Sequence, residues 1–218
     1  MDNEMFKKAF LESFERKIQK RYHVFSNANY NSLTDLTSIV FEINKCIVLE
    51  LYMATITLTN HFLERLLKLA LIYNDVGRGT ITLEKLNEVY SEPHKKYSKI
   101  SLNDAINFCR EFSIITTGES DFLHETIRKQ VRNGFSHADP GMILKNVSKQ
   151  DIFIQGSFSD PKKNRPFKLN QTEIPFIQSI LIADFAKENA EYYFDSIFDL
   201  SKKIDNRLTE KADAKIYP

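Results

Sequence analysis

The sequence predicts an all-α protein: a bundle of long helices interrupted by one small β-hairpin or irregular insertion. Three observations carry this. The 218 residues include only 6 Gly and 6 Pro, too few for the many turns of a β-sandwich. Most segments repeat apolar residues every three or four positions, the period of a helix with one buried face. Finally, 42% hydrophobic residues, with 17 Phe and 9 Tyr, are enough to build a core and exclude global disorder.

Met5, Phe6, Phe10, Phe14 and Ile18 fall at helical intervals and predict a first amphipathic helix over about residues 3–22. The polar run SNANYNS follows. Helical spacing resumes near Leu33 and continues to about Tyr73, with one break expected around Asn44. NDVGRG then supplies a stop and a turn. TLEKLNEVYSE predicts a short helix that Pro93 ends, because proline lacks the N–H and crowds the preceding turn. SLNDAINFCREFSII predicts a helix with Ser101 as N-cap and Asp104 three positions later.

The next helix, GESDFLHETIRKQVRN, puts Leu123, Ile127 and Val131 on one face, with Gly134 as a left-handed terminator. Between Gly141 and Thr172 the period changes, and DIFIQGSF and PFKL, joined by SDPKKNR, predict the hairpin or irregular insertion. The stretch from Glu173 to Leu208 predicts one long final helix with a wide apolar stripe. No internal repeat is visible. The organisation expected is a single helical domain over 1–218: an N-terminal helix and arm (1–30), a core (31–140 and 173–210) and the insertion (141–172).

Thirty basic and 29 acidic side chains leave a formal charge of +1, so the global balance nominates no partner and any polyanion signal must be local. Cys46 and Cys109 form no C-x-x-C pair and lie in apolar helical patterns, which predicts free, buried thiols and a reducing compartment. The N-terminal MDNEMFKKAFLESFERK is charged throughout, unlike a signal peptide. The most apolar stretch contains Glu50, His61, Glu64, Arg65 and Lys68, which suits a core helix and not a membrane span. The expectation is a cytoplasmic protein with no membrane segment.

Several chemistries are excluded. No histidines pair as H-x-x-x-H, and HETIR lacks the second histidine of a zinc-protease helix. VGRGT matches neither a P-loop nor a dinucleotide fingerprint, and no G-x-S-x-G occurs. No metal and no cofactor are expected. His61 is expected to be a hydrogen-bonded core or interface residue, and His23, His94 and His124 are expected to face solvent.

The remaining candidate is RKQVRNGFSHADP, residues 128–140, where Arg132 and His137 stand five positions apart across Gly134. Two readings of the pair stand. In one, Arg132 lies along a helix C-terminus, where cations favour the dipole, and His137 is a surface residue. In the other, Arg132, Asn133, three further residues and His137 form a reaction centre at a helix end. That pattern, in an all-helical chain, resembles the HEPN superfamily, the "higher eukaryotes and prokaryotes nucleotide-binding" helical domains. Their hallmark is an arginine, often followed by a polar residue, with four to six positions in all between it and a histidine. The resemblance covers roughly residues 33–210, and the motif is its specific part.

The resemblance implies a metal-independent endoribonuclease of a defence or toxin–antitoxin system, acting as a homodimer. RNA carries its own nucleophile, the 2′-OH. His137 suits the role of base, since imidazole titrates near neutrality. Arg132 suits the role of anion clamp, since guanidinium stays charged and grips phosphate oxygens bidentately. Asn133 either hydrogen-bonds the phosphate or orients His137. Dimerisation would bring a second His137 to protonate the leaving 5′-oxygen. Asp139, before Pro140, is read first as a turn residue and second as an orienter of the imidazole.

From Arg128 to Lys168 there are nine basic and three acidic residues, +6, leaving −5 for the remainder. Arg128, Lys129, Lys162, Lys163 and Arg165 are therefore the candidate RNA-binding residues; solvation of a hairpin tip explains the same charges equally well. Phe135, Phe153 and Phe158 either stack on bases or pack the core. The resemblance also admits an antitoxin or nucleotidyltransferase partner. Its alternative is a non-catalytic HEPN-like module that binds RNA, a nucleotide or a partner protein.

Overall fold

The structure, a computed structural model, describes residues 3–77, 82–125, 127, 152–154, 165–167 and 174–216. The fold class is all-α, as expected. The order is α1 (Asn3–Ser26), α2 (Thr37–Val48), α3 (Tyr52–Val76), α4 (Leu86–Tyr97), α5 (Leu102–Glu111), α6 (Thr117–Phe122) and α7 (Pro175–Ile216), with single 3-10 turns at Thr34–Leu36 and Leu83–Lys85. Within the stretch expected to be non-helical, β1 (Ile152–Ile154) and β2 (Arg165–Phe167) pair antiparallel, with Phe153 opposite Pro166.

Helix α3 is the centre. Phe62, Leu63, Leu66, Leu67, Ala70 and Leu71 are all fully buried, which explains why this segment is the most apolar in the chain. It packs most extensively on α7, which contributes Ala186, Ala190, Phe194, Ile197 and Ile204, and next on α2, α4 and α5. Burying one such leucine, isoleucine or phenylalanine is worth about 1.5–3 kcal/mol, so this seam dominates the stability. Asn60 is carried inside it by accepting a hydrogen bond from the Tyr193 hydroxyl at 2.7 Å.

The break expected near Asn44 falls instead at Leu49–Leu51. Asn44 is fully buried inside α2, where its carboxamide oxygen accepts from Arg21 Nε at 2.8 Å, so it is a tie between helices and not a breaker. α2 ends because Glu50 takes φ 59°, letting the Leu51 N–H reach the Cys46 carbonyl at 2.8 Å and the Glu50 N–H reach Ile47 at 3.0 Å. This is the paired-bond termination usually made with glycine. Ser113, φ 53°, ends α5 in the same way, through Ile114 to Cys109 and Ser113 to Arg110. Gly77, φ 71°, ends α3 where the sequence suggested.

Pro93 does not end α4, which runs four residues further to Tyr97. Tertiary anchoring at that end outweighs the lost N–H: Tyr97 is fully buried, and its hydroxyl donates to Asp75 at 2.9 Å beside Lys96 at 3.1 Å. Ser101 caps α5 as expected, accepting from the Asp104 N–H at 3.1 Å.

The packing of α1 departs from its sequence pattern. The apolar stripe that predicts this helix is not the face it turns to the body. Met5, Phe10, Leu11, Ile18 and Tyr22 are exposed, whereas Arg21 is only 2% exposed. Polar ties hold α1 to the body at Ser13 to Glu50 (3.0 Å), Lys17 to the Tyr52 hydroxyl (2.6 Å) and Arg21 to Asp195 (2.9 Å), and towards its C-terminal end Val24 is buried and Phe25 meets Phe41 at 5.5 Å.

Candidate functional site

The motif lies on the chain leaving α6, so the site is built from that helix upward. Thr116 begins it with a reciprocal cap: its hydroxyl accepts from the Glu119 N–H at 3.2 Å, and Glu119 accepts from the Thr116 N–H at 2.8 Å. Two of the orphan amides of a helix start are satisfied in this way. The Glu119 carboxylate also receives Arg207 of α7 through both terminal nitrogens, at 2.6 and 3.0 Å, while Arg207 donates to the Ile114 carbonyl at 3.1 Å. Burial pushes the Glu119 carboxyl up, but hydrogen bonds from Arg207 and the Thr116 amide outweigh it and hold it below the usual range.

Ser120, Leu123 and Ile127 are buried, as the shared face of Leu123 and Ile127 predicted. Leu123, His124 and Glu125 widen into a π-helical turn, a geometry that recurs where a helix approaches a functional site. His124, expected to face solvent, is half-buried instead, with Nε2 3.2 Å from Asn107 Oδ1 of α5. α6 is thus latched to α7 by Arg207, and the π-helical turn that follows it to α5 by His124.

Arg132, Asn133 and His137 lie outside the described residues, as do Arg128, Lys129, Lys162 and Lys163, together with Val131, Gly134, Phe135, Asp139 and Phe158. Arg165 is on β2 opposite Ile154. No pair among these candidates has a described geometry.

Other chemistry among the described residues is limited. No group of three or more His, Cys, Asp or Glu is placed to hold a metal ion, and no helix is long and apolar enough to cross a membrane. Cys109 is buried and Cys46 half-buried, both free. Burial pushes both thiols up, away from the thiolate a nucleophile needs. His61, expected in the core or an interface, is exposed on α3, because it falls on the side of that helix opposite the buried Ile56, Thr59, Phe62, Leu63 and Leu66. His23 and His94 are exposed, as expected.

A cleft of about 500 Å³ opens between α3 and α4, lined by Tyr73, Asn87, Tyr90, Ser91, His94 and Lys95 among others. Tyr73 and Tyr90 meet edge-to-face at 6.1 Å, and the Tyr73 hydroxyl donates to Asp35 at 2.6 Å. Burial, then the bond to Asp35, pushes the Tyr73 hydroxyl up. Lys95 is paired with Glu92 at 2.9 Å. The cleft offers aromatic surface but no paired acid and base.

Sequence reading missed Glu119 and Arg207, the pair that latches α6 to α7. The T-x-x-E spacing of Thr116 and Glu119 is a legible capping box; the Arg207 partner, 88 positions away, has no local signal. Comparison of the chain with protein-family models, with curated proteins and with solved structures gives no match.

Proposed function

We propose that the chain is a metal-independent endoribonuclease of the HEPN type, with Arg132, Asn133 and His137 as its site. The observation that carries this reading is the Arg-Asn-x3-His spacing in the sequence that follows α6. The all-α frame supports it, and the chain that precedes the motif is anchored at Glu119 and His124.

In the proposed reaction His137 removes the proton of a ribose 2′-OH, and the oxygen attacks the adjacent phosphorus. Arg132 pairs with the non-bridging oxygens as charge accumulates on the phosphorane. The bond to the 5′-oxygen breaks, and a protonated His137 from a second copy returns a proton to it. The products are a 2′,3′-cyclic phosphate and a free 5′-OH, and DNA is inert for want of the 2′-OH. Arg128, Lys129, Lys162, Lys163 and Arg165 supply the polyanion attraction. A cytoplasmic defence or toxin–antitoxin role, with an antitoxin or nucleotidyltransferase partner, belongs to the same reading.

The test is end-labelled RNA incubated with the purified chain in EDTA. Cleavage leaving a cyclic phosphate is expected, with Arg132→Ala and His137→Ala each reducing the rate at least a hundredfold, on the order of one general acid–base or anion-stabilising group. Cleavage undiminished in His137→Ala removes the assignment.

A further inference from the structure

We propose that the groove between α1 and α2 is the seat of an amphipathic helix from a partner protein, one whose apolar stripe carries a carboxylate beside its middle. The inference stands independently of the ribonuclease reading.

Its basis is the polarity of α1. The side turned to the body includes Ser13, Lys17 and Arg21, held by Glu50, Tyr52, Asn44 and Asp195. The other side leaves Leu11, Ile18 and Tyr22 exposed, Tyr22 to 68%. A helix tied down largely through polar groups, with an apolar stripe turned outward, has the pattern of a binding element.

This stripe walls a groove of about 690 Å³, lined by Phe14, Ile18, Tyr22 and Phe25 of α1 and by Phe41 and Val48 of α2. The two helices are antiparallel and in direct contact, through Ser13 and Glu50 at 3.0 Å, Arg21 and Asn44 at 2.8 Å, and the Phe25 and Phe41 rings at 5.5 Å. The crease between two touching helices receives the side-chain ridge of a third. From Phe14 to Phe25 the groove spans about three helical turns, ~16 Å. That is the span over which a docked helix sets its apolar anchors.

Shape and charge select this occupant. Phe14, Ile18, Tyr22 and Phe25 are themselves the groove wall, so two copies would meet groove to groove with no apolar ridge left to enter either. A lipid surface is not favoured, because the groove is concave and the exposed Glu4, Glu12 and Glu15 of α1 balance Lys7, Lys8 and Arg16. Lys45 supplies the charge that a partner would answer. It is the one charged residue lining the groove, it is exposed, and it is in no ion pair among the described residues. It follows Asn44, the partner of Arg21, and so stands near the middle of the groove, between the Ser13–Glu50 and Phe25–Phe41 contacts. A carboxylate beside the middle of the incoming stripe meets it there.

The probe is a labelled alanine-rich helical peptide with leucines at i, i+4, i+7 and i+11 and a glutamate on each flank of that stripe near its middle, so that either orientation offers Lys45 a carboxylate. Fluorescence anisotropy with the full chain is expected to show saturable binding of one peptide per chain. Ile18→Asp and Tyr22→Asp are each expected to weaken it at least about tenfold, roughly the loss of one buried apolar contact, with an unchanged circular-dichroism spectrum. A peptide with lysines in place of the glutamates should bind about tenfold more weakly, and Lys45→Glu should reverse that preference, tenfold being 1.4 kcal/mol. No saturable binding, binding indifferent to Ile18 and Tyr22, or a glutamate preference that survives Lys45→Glu overturns the proposal. So does occupation of the same face by a second copy or by phosphatidylserine vesicles, read as a dimer or as vesicle co-sedimentation that Ile18→Asp and Tyr22→Asp abolish.

Discussion

Replacing Asp205 by alanine should cost more stability than any other single polar substitution on α7. Asp205 is 3% exposed, and its two oxygens accept three successive backbone amides: Asn31 and Ser32 at 2.8 Å each, and Leu33 at 3.0 Å. It thereby fixes the chain just before α2. Nearby, Tyr30 meets Ser201 at 2.7 Å and Lys202 donates to the Asn29 carbonyl at 2.6 Å. A hydrogen bond to a charged group is worth about 1.5–3 kcal/mol, but the three do not add. Asn31 is exposed and Ser32 half-buried, so water replaces the carboxylate at the first and partly at the second. Leu33 is fully buried, and its amide would be left without a partner. The expected loss is therefore ~3–4 kcal/mol, the full penalty at Leu33 plus a fraction at the other two. Urea unfolding reads this as a fall in midpoint of about 1 M, taking m near 3 kcal/mol per M. Asp199→Ala, on an exposed position of the same helix, should stay within ~0.5 kcal/mol as a control. An Asp205→Ala loss below 1 kcal/mol at unchanged m would refute the argument that these amides depend on the carboxylate.

Three further outcomes follow from the same structure. Glu119→Gln should cost about 1–2 kcal/mol at neutral pH, a bidentate charge-assisted pair discounted for partial exposure. Because the Glu119 pKa is lowered by folding, that stability is present above its unfolded pKa of about 4.3 and is lost as pH falls through the lower folded value. Acid titration of unfolding should therefore show wild type and variant converging below that window; a constant gap would be the wrong sign. Pro93→Ala should raise the melting temperature, since the helix already continues to Tyr97 and the variant restores an N–H at position 93; a gain of ~1–2 kcal/mol is expected, part of the ~3 kcal/mol interior proline penalty. No gain would mean that α4 ends at the proline. Tyr97→Phe should lose about 1 kcal/mol with the bond to Asp75, read by thermal unfolding, and Tyr90→Phe much less.

The candidate site divides at Ile127. Up to that residue the sequence pattern and the structure can be compared: the Leu123–Ile127 face is buried as its spacing demands, because period alone decides which side of a helix is apolar. The latch between Glu119 and Arg207 could not be read in the same way, since proximity of residues 88 positions apart is a product of packing. The residues that would carry the chemistry, Arg132, Asn133 and His137, were recognisable as a spacing and rest on that spacing.

The sequence by itself determined the all-α class, the cap at Ser101, the stop at Gly77 and the burial of the α3 seam, because each depends on a propensity or period confined to a few neighbouring residues. Only the tertiary structure decided the helix ends at Glu50 and Ser113, where non-glycine residues adopt left-handed φ. It likewise carried α4 through Pro93 and placed Asn44 inside a helix. It also decided which face of α1 turns inward. A helical period reports that an apolar stripe exists, whereas the partner for that stripe is settled by the competing contacts of the whole chain, and here Glu50, Asn44 and Asp195 hold the opposite, polar side.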